Sequence, residues 1–428
     1  MERTSVIQIP RRRDGTIINR IGWVIYALVG LLVVRVLVLG FMDNPNVFIR
    51  QIVNGLQLGF VYALIALGYT MIYGVVKLIN FAHGDVFMVG AFVSYFAVKN
   101  MNLHLWPAAV FPGLPYSVVI FIGTVTVMLL SMLISLLLAI TMERFAYKPL
   151  RNAPRIAALI TAIGVSFFLE YFGALPFVFT NNYITYYRPF DIVVFESTNV
   201  SPTLIAGLWA VFLGGAGLDI AFRFLGKRDE RFLAWRKSPL LQFALLAGGF
   251  LAPLLTLVKT NAYIGDTQID IKVSNIVLLI MVVSIILQVL LSYIVQQTKL
   301  GKAMRATAYD KPVARLMGIN VDNVISATFA LGGSLAGAAG MLYAIAFKQV
   351  HHLMGIIPGL KAFVAAVVGG IGSVPGAFLG ALIMGQTEVL SAGFISTPMR
   401  DAISFSLLII VLLIRPTGIL GEPEGEKV

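Results

Sequence analysis

The chain has 428 residues, of which 58% are hydrophobic, 12% are charged and none is cysteine. Soluble domains carry roughly 25% charged residues, so this composition, with a mean hydropathy of +0.89, excludes a soluble enzyme and a disordered chain. The net charge of +12 falls mostly in short gaps between apolar runs, where cationic loops fix membrane orientation, and does not point to nucleic acid.

Without cysteine, disulfides, thiolate-held zinc, iron–sulfur clusters and a thiol nucleophile are excluded. His351 and His352 are adjacent and lack the spacing of a helical zinc pair, so neither a metal nor a cofactor is expected.

In chain order, Arg3, Arg11, Arg12, Arg13 and Arg20 precede an apolar run at 21–42. That run is too long for a signal-peptide core and has no small-residue cleavage pattern, so it reads as an uncleaved membrane helix. Further runs near the ~20 residues a span needs lie at 48–73, 79–98, 117–142, 156–180, 202–222, 239–258, 275–297, 324–346 and 400–414. The apolar region 361–393 is interrupted by Gly369, Gly370, Gly372, Pro375 and Gly376. The fold class is therefore an all-α polytopic membrane protein, with about ten spans and one broken or re-entrant segment.

With the N-terminus placed inside, the inner gaps hold 20 Lys and Arg and the outer gaps eight, Lys361 among the latter. This bias fits the positive-inside rule and predicts both termini in the cytoplasm. Bare backbone inside a membrane survives only within protein or along a wet cavity, so Gly370, Gly372 and Pro375 are candidates for the translocation path or for helix breaks, a tight helix–helix turn being the alternative. Gly55/Gly59, Gly333/Gly337 and Gly376/Gly380 have the four-residue spacing of close helix packing.

No phosphate-binding loop is present: Gly226-Lys227-Arg228 and Gly301-Lys302-Ala303 both lack the following Ser or Thr. Arg35, Asp85, Glu170, Asp219 and Glu388 are ionisable residues within or near spans, but their spacing forms no proton or sodium relay. Glu388 stays a candidate for the path. In Ile79–Asp85, Asn80 and His83 are candidates for the same path, although a helix-capping role for Asn80 explains it more simply. No catalytic residues are expected.

Residues 299–323 form a mixed-charge loop longer than a connection needs. The stretch RATAYDKPVARLMGINVDNVI there resembles the coupling loop of ATP-binding-cassette (ABC) importer permeases, and within them the H-type subunit of branched-chain amino acid systems. Residues 54–85, 143–170, 359–390 and 415–428 resemble the same family in the same order. The resemblance implies an ABC-importer permease fold and import of leucine, isoleucine or valine across the bacterial inner membrane. Its implied partners are a second homologous permease, two ATPase subunits and a periplasmic substrate-binding protein. It also implies that Arg305, Ala306, Asp310, Ala314, Arg315 and Gly318 form the ATPase-coupling surface, flanked by Arg144, Lys148 and Arg151. ATP would be hydrolysed on the partner chains.

Two departures divide the chain. Residues 1–47 extend the permease domain, 48–428, by a basic segment and one span; residues 200–258 look like an inserted transmembrane hairpin. Urea or short-amide permeases of the same family are the near alternative, and an ion-coupled secondary carrier the more distant one.

Overall fold

The computed structural model describes residues 30–31, 34–151, 153–196, 200–225, 238–260, 263–264, 267–268 and 272–421. Much of the expected first span and all of the basic turn 227–237 lie outside these residues. After a helical run at 34–43, the helices are α1 Pro45–Val76, α2 His83–Lys99, α3 Trp106–Val110, α4 Tyr116–Met142, α5 Arg155–Gly173, α6 Pro202–Leu225 and α7 Pro239–Thr260. They continue as α8 Asn275–Gln297, α9 Lys299–Tyr309, α10 Lys311–Leu316, α11 Val321–Phe347, α12 Ile356–Gly369, α13 Val374–Phe394 and α14 Arg400–Ile414. Among the described residues eight helices are long and apolar enough to cross a membrane, or nine if α2 and the short turn to Val110, bent by 63°, count as one span.

Two long helices organise the bundle. Asn44 accepts a hydrogen bond from the Val47 amide at the start of α1, and Asn320 accepts one from Asn323 at the start of α11; each cap satisfies an otherwise unpaired donor. Both helices end on a lysine in the left-handed region, Lys77 at φ 62° and Lys348 at φ 57°. Each lysine amide closes the last turn, on Tyr73 O at 2.8 Å and Ala344 O at 2.9 Å.

From these lysines the chain turns back into the bundle as non-helical backbone, and α2 and α12 begin inside it. His83 packs on Gly68 and Tyr69 of α1. Gly68 is eight residues before the end of α1, hence about 12 Å from that end at 1.5 Å per residue. The return from Lys348 is supported by a two-residue antiparallel ladder, Ile184–Thr185 with Gln349–Val350. The Arg188 guanidinium donates to Ile345 O and Ala346 O, taking up carbonyls at the end of α11.

The packing is reciprocal. α1 lies against α13 as α11 lies against α4, and α2 lies against α11 as α12 lies against α1. Because α1 and α11 run in opposite directions, this is the pattern of an inverted repeat. The glycine pairs fit it: Gly55 and Gly59 face Gln386 and Leu382, while Gly333 and Gly337 face Ser135, Ala139 and Ser131.

The glycine-rich break is a helix–helix turn, the alternative to a place on the path. Gly369 lies against Gly376, and Gly380 against Ala365, as in an antiparallel pair. Gly370 and Gly372 take φ 111° and 98°, values open chiefly to glycine; Pro375 stands in the first turn of α13. Ile419 and Leu420 donate to Val368 O and Gly369 O, and Gly74 sits beside Gly372. The turn therefore lies at the Val76 end of the bundle and does not interrupt a span in its middle.

The pair α6–α7 packs together and meets the bundle through α7 and α8. The Trp209 indole donates to Thr256 at 2.8 Å, and Phe250 meets Phe60 edge-on at 5.1 Å. The spanning window of α1 is 83% buried and that of α6 only 6%, so α1 is central and α6 peripheral.

Candidate functional site

The Val76 end carries the loop between α8 and α11. Thr298 caps α9 and Asp310 caps α10 through the Val313 amide. Gly318, at φ 82°, ends the second helix, its amide bonding Arg315 O. Met304, Thr307 and Ala314 point into the chain. Ala314, expected on the partner-facing surface, is buried by this chain's own residues: on this short helix its face is the inward one. The outward face is apolar, with Tyr309, Val313, Leu316 and Met317 all strongly exposed. Arg305, Ala306 and Arg315 are exposed beside it.

This loop is fastened to the rest of the Val76 end. Asp322 pairs with Arg151, with Lys148 at 3.3 Å and with Arg315 at 3.6 Å. Arg151 also pairs with the fully buried Glu143, which accepts from Ser326 at 2.6 Å. The Lys311 ammonium donates to Val76 O at 3.1 Å; burial first, then Arg151 and Arg315, holds it below the ordinary lysine value. Next to these pairs is a surface recess of about 380 Å³, lined by Arg315, Gly318, Asn320 and Asp322.

Asn80 is buried and accepts from the Tyr147 hydroxyl at 2.6 Å. It does not cap α2, whose preceding residue Ala82 offers no side-chain bond. His83 is buried against the Tyr69 ring, and its Nε2 has no hydrogen-bond partner among the described residues. The Ser166 hydroxyl lies 2.5 Å from Asp85 and 3.3 Å from Glu170. Neither carboxylate shares a partner with Glu388.

At the opposite end of the bundle a cavity of about 480 Å³ opens between α1, α11, α13 and α14. Glu388 lies in its wall. Its Oε2 accepts from the Tyr62 hydroxyl at 2.9 Å and its Oε1 from the Lys361 ammonium at 2.6 Å. Lys361 also bonds Asp401 at 2.7 Å and is 1% exposed. It is buried in α12, not in an outer gap as its place in the charge count implied. The charge bias survives without it.

Residues 51–412 match the family described as the branched-chain amino acid transport system permease component. Relatives include the high-affinity branched-chain amino acid transport system permease protein LivH of Salmonella typhimurium, 35% identical over 89% of this chain and 98% of that protein. LivH of Escherichia coli K12 is 34% identical over the same shares, and BraD of Pseudomonas aeruginosa, described by the same title, is 32% identical. The chain belongs to this permease family. No solved structure matches it.

The family makes the chain a multi-pass membrane protein that works with ATPase and substrate-binding partners, and a transport subunit, not an enzyme. In this permease the six loop residues named from sequence do share one end, in different roles. Arg305, Ala306 and Arg315 face outward, Asp310 and Gly318 shape the loop, and Ala314 packs inward. Asn80 and Glu388 lie in separate buried clusters, and Gly370, Gly372 and Pro375 in the turn at the Val76 end. Sequence reasoning missed Lys361 as the partner of Glu388. The signal was a lone lysine inside an otherwise apolar segment, which lipid would not tolerate unpaired.

Proposed function

We propose that this chain is a permease subunit of an ABC importer that carries branched-chain amino acids into the cell. Identity of 35% over nearly the full length of a LivH protein carries the substrate assignment. In this reading the Val76 end is cytoplasmic and the cavity end faces the periplasm, with both termini in the cytoplasm. Two ATPases and a second homologous permease complete the complex, and a periplasmic binding protein delivers the substrate.

The exposed apolar face of Tyr309, Val313, Leu316 and Met317, rimmed by Arg305 and Arg315, supports ATPase docking. Apolar anchors with a charged rim are the usual anatomy of such contacts. Its attachment through Asp322 to α11 and through Lys311 to α1 gives motion at the loop a route into both central helices. Co-expression with neighbouring ATPase and binding-protein genes in a strain lacking leucine uptake tests the assignment. Growth on limiting leucine should return with the chain and vanish when either ATPase carries an inactivated phosphate loop. Growth that persists without functional ATPases contradicts it.

A further inference from the structure

The cavity at the far end has a charge arrangement that the fold alone does not use up. Lys361 hydrogen-bonds both Glu388 and Asp401, so the carboxylates are engaged. Arg400 also lines the cavity. Its Nε pairs with Asp401 at 3.4 Å and with Glu388 at 3.9 Å, while its two terminal amino groups make no hydrogen bond among the described residues. This half-exposed guanidinium completes the charge balance of the two acids through its Nε side and keeps its terminal amino groups for another acceptor. Those two groups match a carboxylate in bidentate geometry.

Across the cavity, α1 presents Gln51, Asn54 and Gln57, three residues apart and therefore on one helix face. Their amide oxygens, with the Tyr343 hydroxyl, supply acceptors for an ammonium group. The remaining wall, with Leu58, Phe347, Val389 and Ala392, is apolar. The volume of about 480 Å³ falls within the ~300–1,000 Å³ of small-molecule sites. Lys361 and Arg400 balance Glu388 and Asp401, so a net-neutral ligand with separated charges adds no uncompensated charge.

We infer that this cavity is a substrate site for a zwitterionic α-amino acid with an aliphatic side chain, with Arg400 binding the carboxylate. The inference rests on the permease reading above and deepens it. It makes the membrane subunit itself selective: urea and simple amides give Arg400 no anion, whatever the binding protein delivers. Arg400 is thereby a specificity-determining residue.

The test uses the assembled importer in lipid nanodiscs without binding protein, titrated with radiolabelled leucine, and the same complex in vesicles with binding protein. Valine and isoleucine should compete for bound leucine, whereas leucinamide, lacking the carboxylate, and isovalerate, lacking the ammonium, should not. Arg400→Gln should weaken leucine binding at least about tenfold, as loss of one partner of a charge-assisted pair does, and Arg400→Lys should restore part of it. Gln57→Leu, which leaves the ion pairs untouched, should weaken binding while the complex still assembles.

Equal competition by leucine and leucinamide, or unchanged binding in Arg400→Gln, overturns the site while leaving ATP-driven leucine uptake, and so the permease reading, intact. Unchanged binding with lost stimulation of ATP hydrolysis by the binding protein makes Arg400 a docking contact and likewise overturns the site. Absence of leucine uptake by the wild-type complex overturns the permease reading, and the site with it.

Discussion

Gly84, in the first turn of α2, and Gly355, just before α12, pack backbone against backbone. A Cβ on either one would run into the other's carbonyl oxygen. Each stands seven residues beyond a left-handed lysine, Lys77 or Lys348, that ends a long helix. The two helix starts thus enter the bundle from opposite ends and meet inside it, the arrangement that inverted-repeat transporters build around their pathways.

Gly84→Ala and Gly355→Ala should each destabilise the chain by about 1–3 kcal/mol, because the obstructing atoms are backbone and cannot rotate away. Together they should cost less than the sum, since one displacement relieves both clashes. Thermal unfolding of the detergent-purified chain measures this. Gly113→Ala, at a position with open space around it, is the control and should leave the midpoint unchanged.

Lys361 and Glu388 make a buried pair. Lys361→Met should cost about 3–5 kcal/mol by leaving an uncompensated buried carboxylate, whereas adding Glu388→Gln should recover much of that loss. A double-mutant cycle on unfolding midpoints reads the difference. Equal stability of the single and double variants would mean that Tyr62 and Arg400 already satisfy Glu388 without the lysine.

The loop at the Val76 end separates docking from packing. Leu316→Asp and Met317→Asp, on its exposed face, should weaken co-purification of the ATPases at least about tenfold if these are interface anchors, with the chain's own stability unchanged. Ala314→Trp should do the reverse, lowering unfolding stability by about 1–3 kcal/mol through overpacking. Detachment by Ala314→Trp with unchanged stability would restore the partner-facing role first assigned to it.

Because the chain has no cysteine, sidedness can be read by labelling. Leu316→Cys, 86% exposed, and Val110→Cys, 57% exposed, stand at opposite ends of the bundle. An impermeant maleimide added to intact spheroplasts should modify position 110 and leave position 316 unmodified until the membrane is opened. Modification of 316 from outside would invert the topology.

The long apolar runs and the mixed-charge loop were legible because hydrophobicity and length alone select helices that cross a bilayer. The true entry points into the bundle were not. Residues 79–83 carry enough Ile, Phe and Ala to merge with the span that follows, residues 348–355 read as a gap between spans, and a lysine's left-handed backbone leaves no mark in composition. The conspicuous glycines at 369–376 do mark a break, but composition does not tell a tight turn from a cavity lining, because positive φ at a turn and close packing inside a membrane select the same residue. Lys361 and Glu388 lie 27 positions apart on different helices, so only the packing of α12 on α13 reveals the pair. Ala314 misled for a simpler reason: on a six-residue helix no periodic pattern tells the inward face from the outward one.

The most direct measurement is uptake of radiolabelled leucine into proteoliposomes containing this chain, its partner permease and the ATPases, with loaded binding protein outside and ATP inside. Accumulation should require ATP, the binding protein and this chain together, and should survive collapse of the ion gradients by an ionophore. Uptake that proceeds without ATP or binding protein but stops when the proton or sodium gradient is dissipated would contradict the assignment and make the chain a secondary carrier.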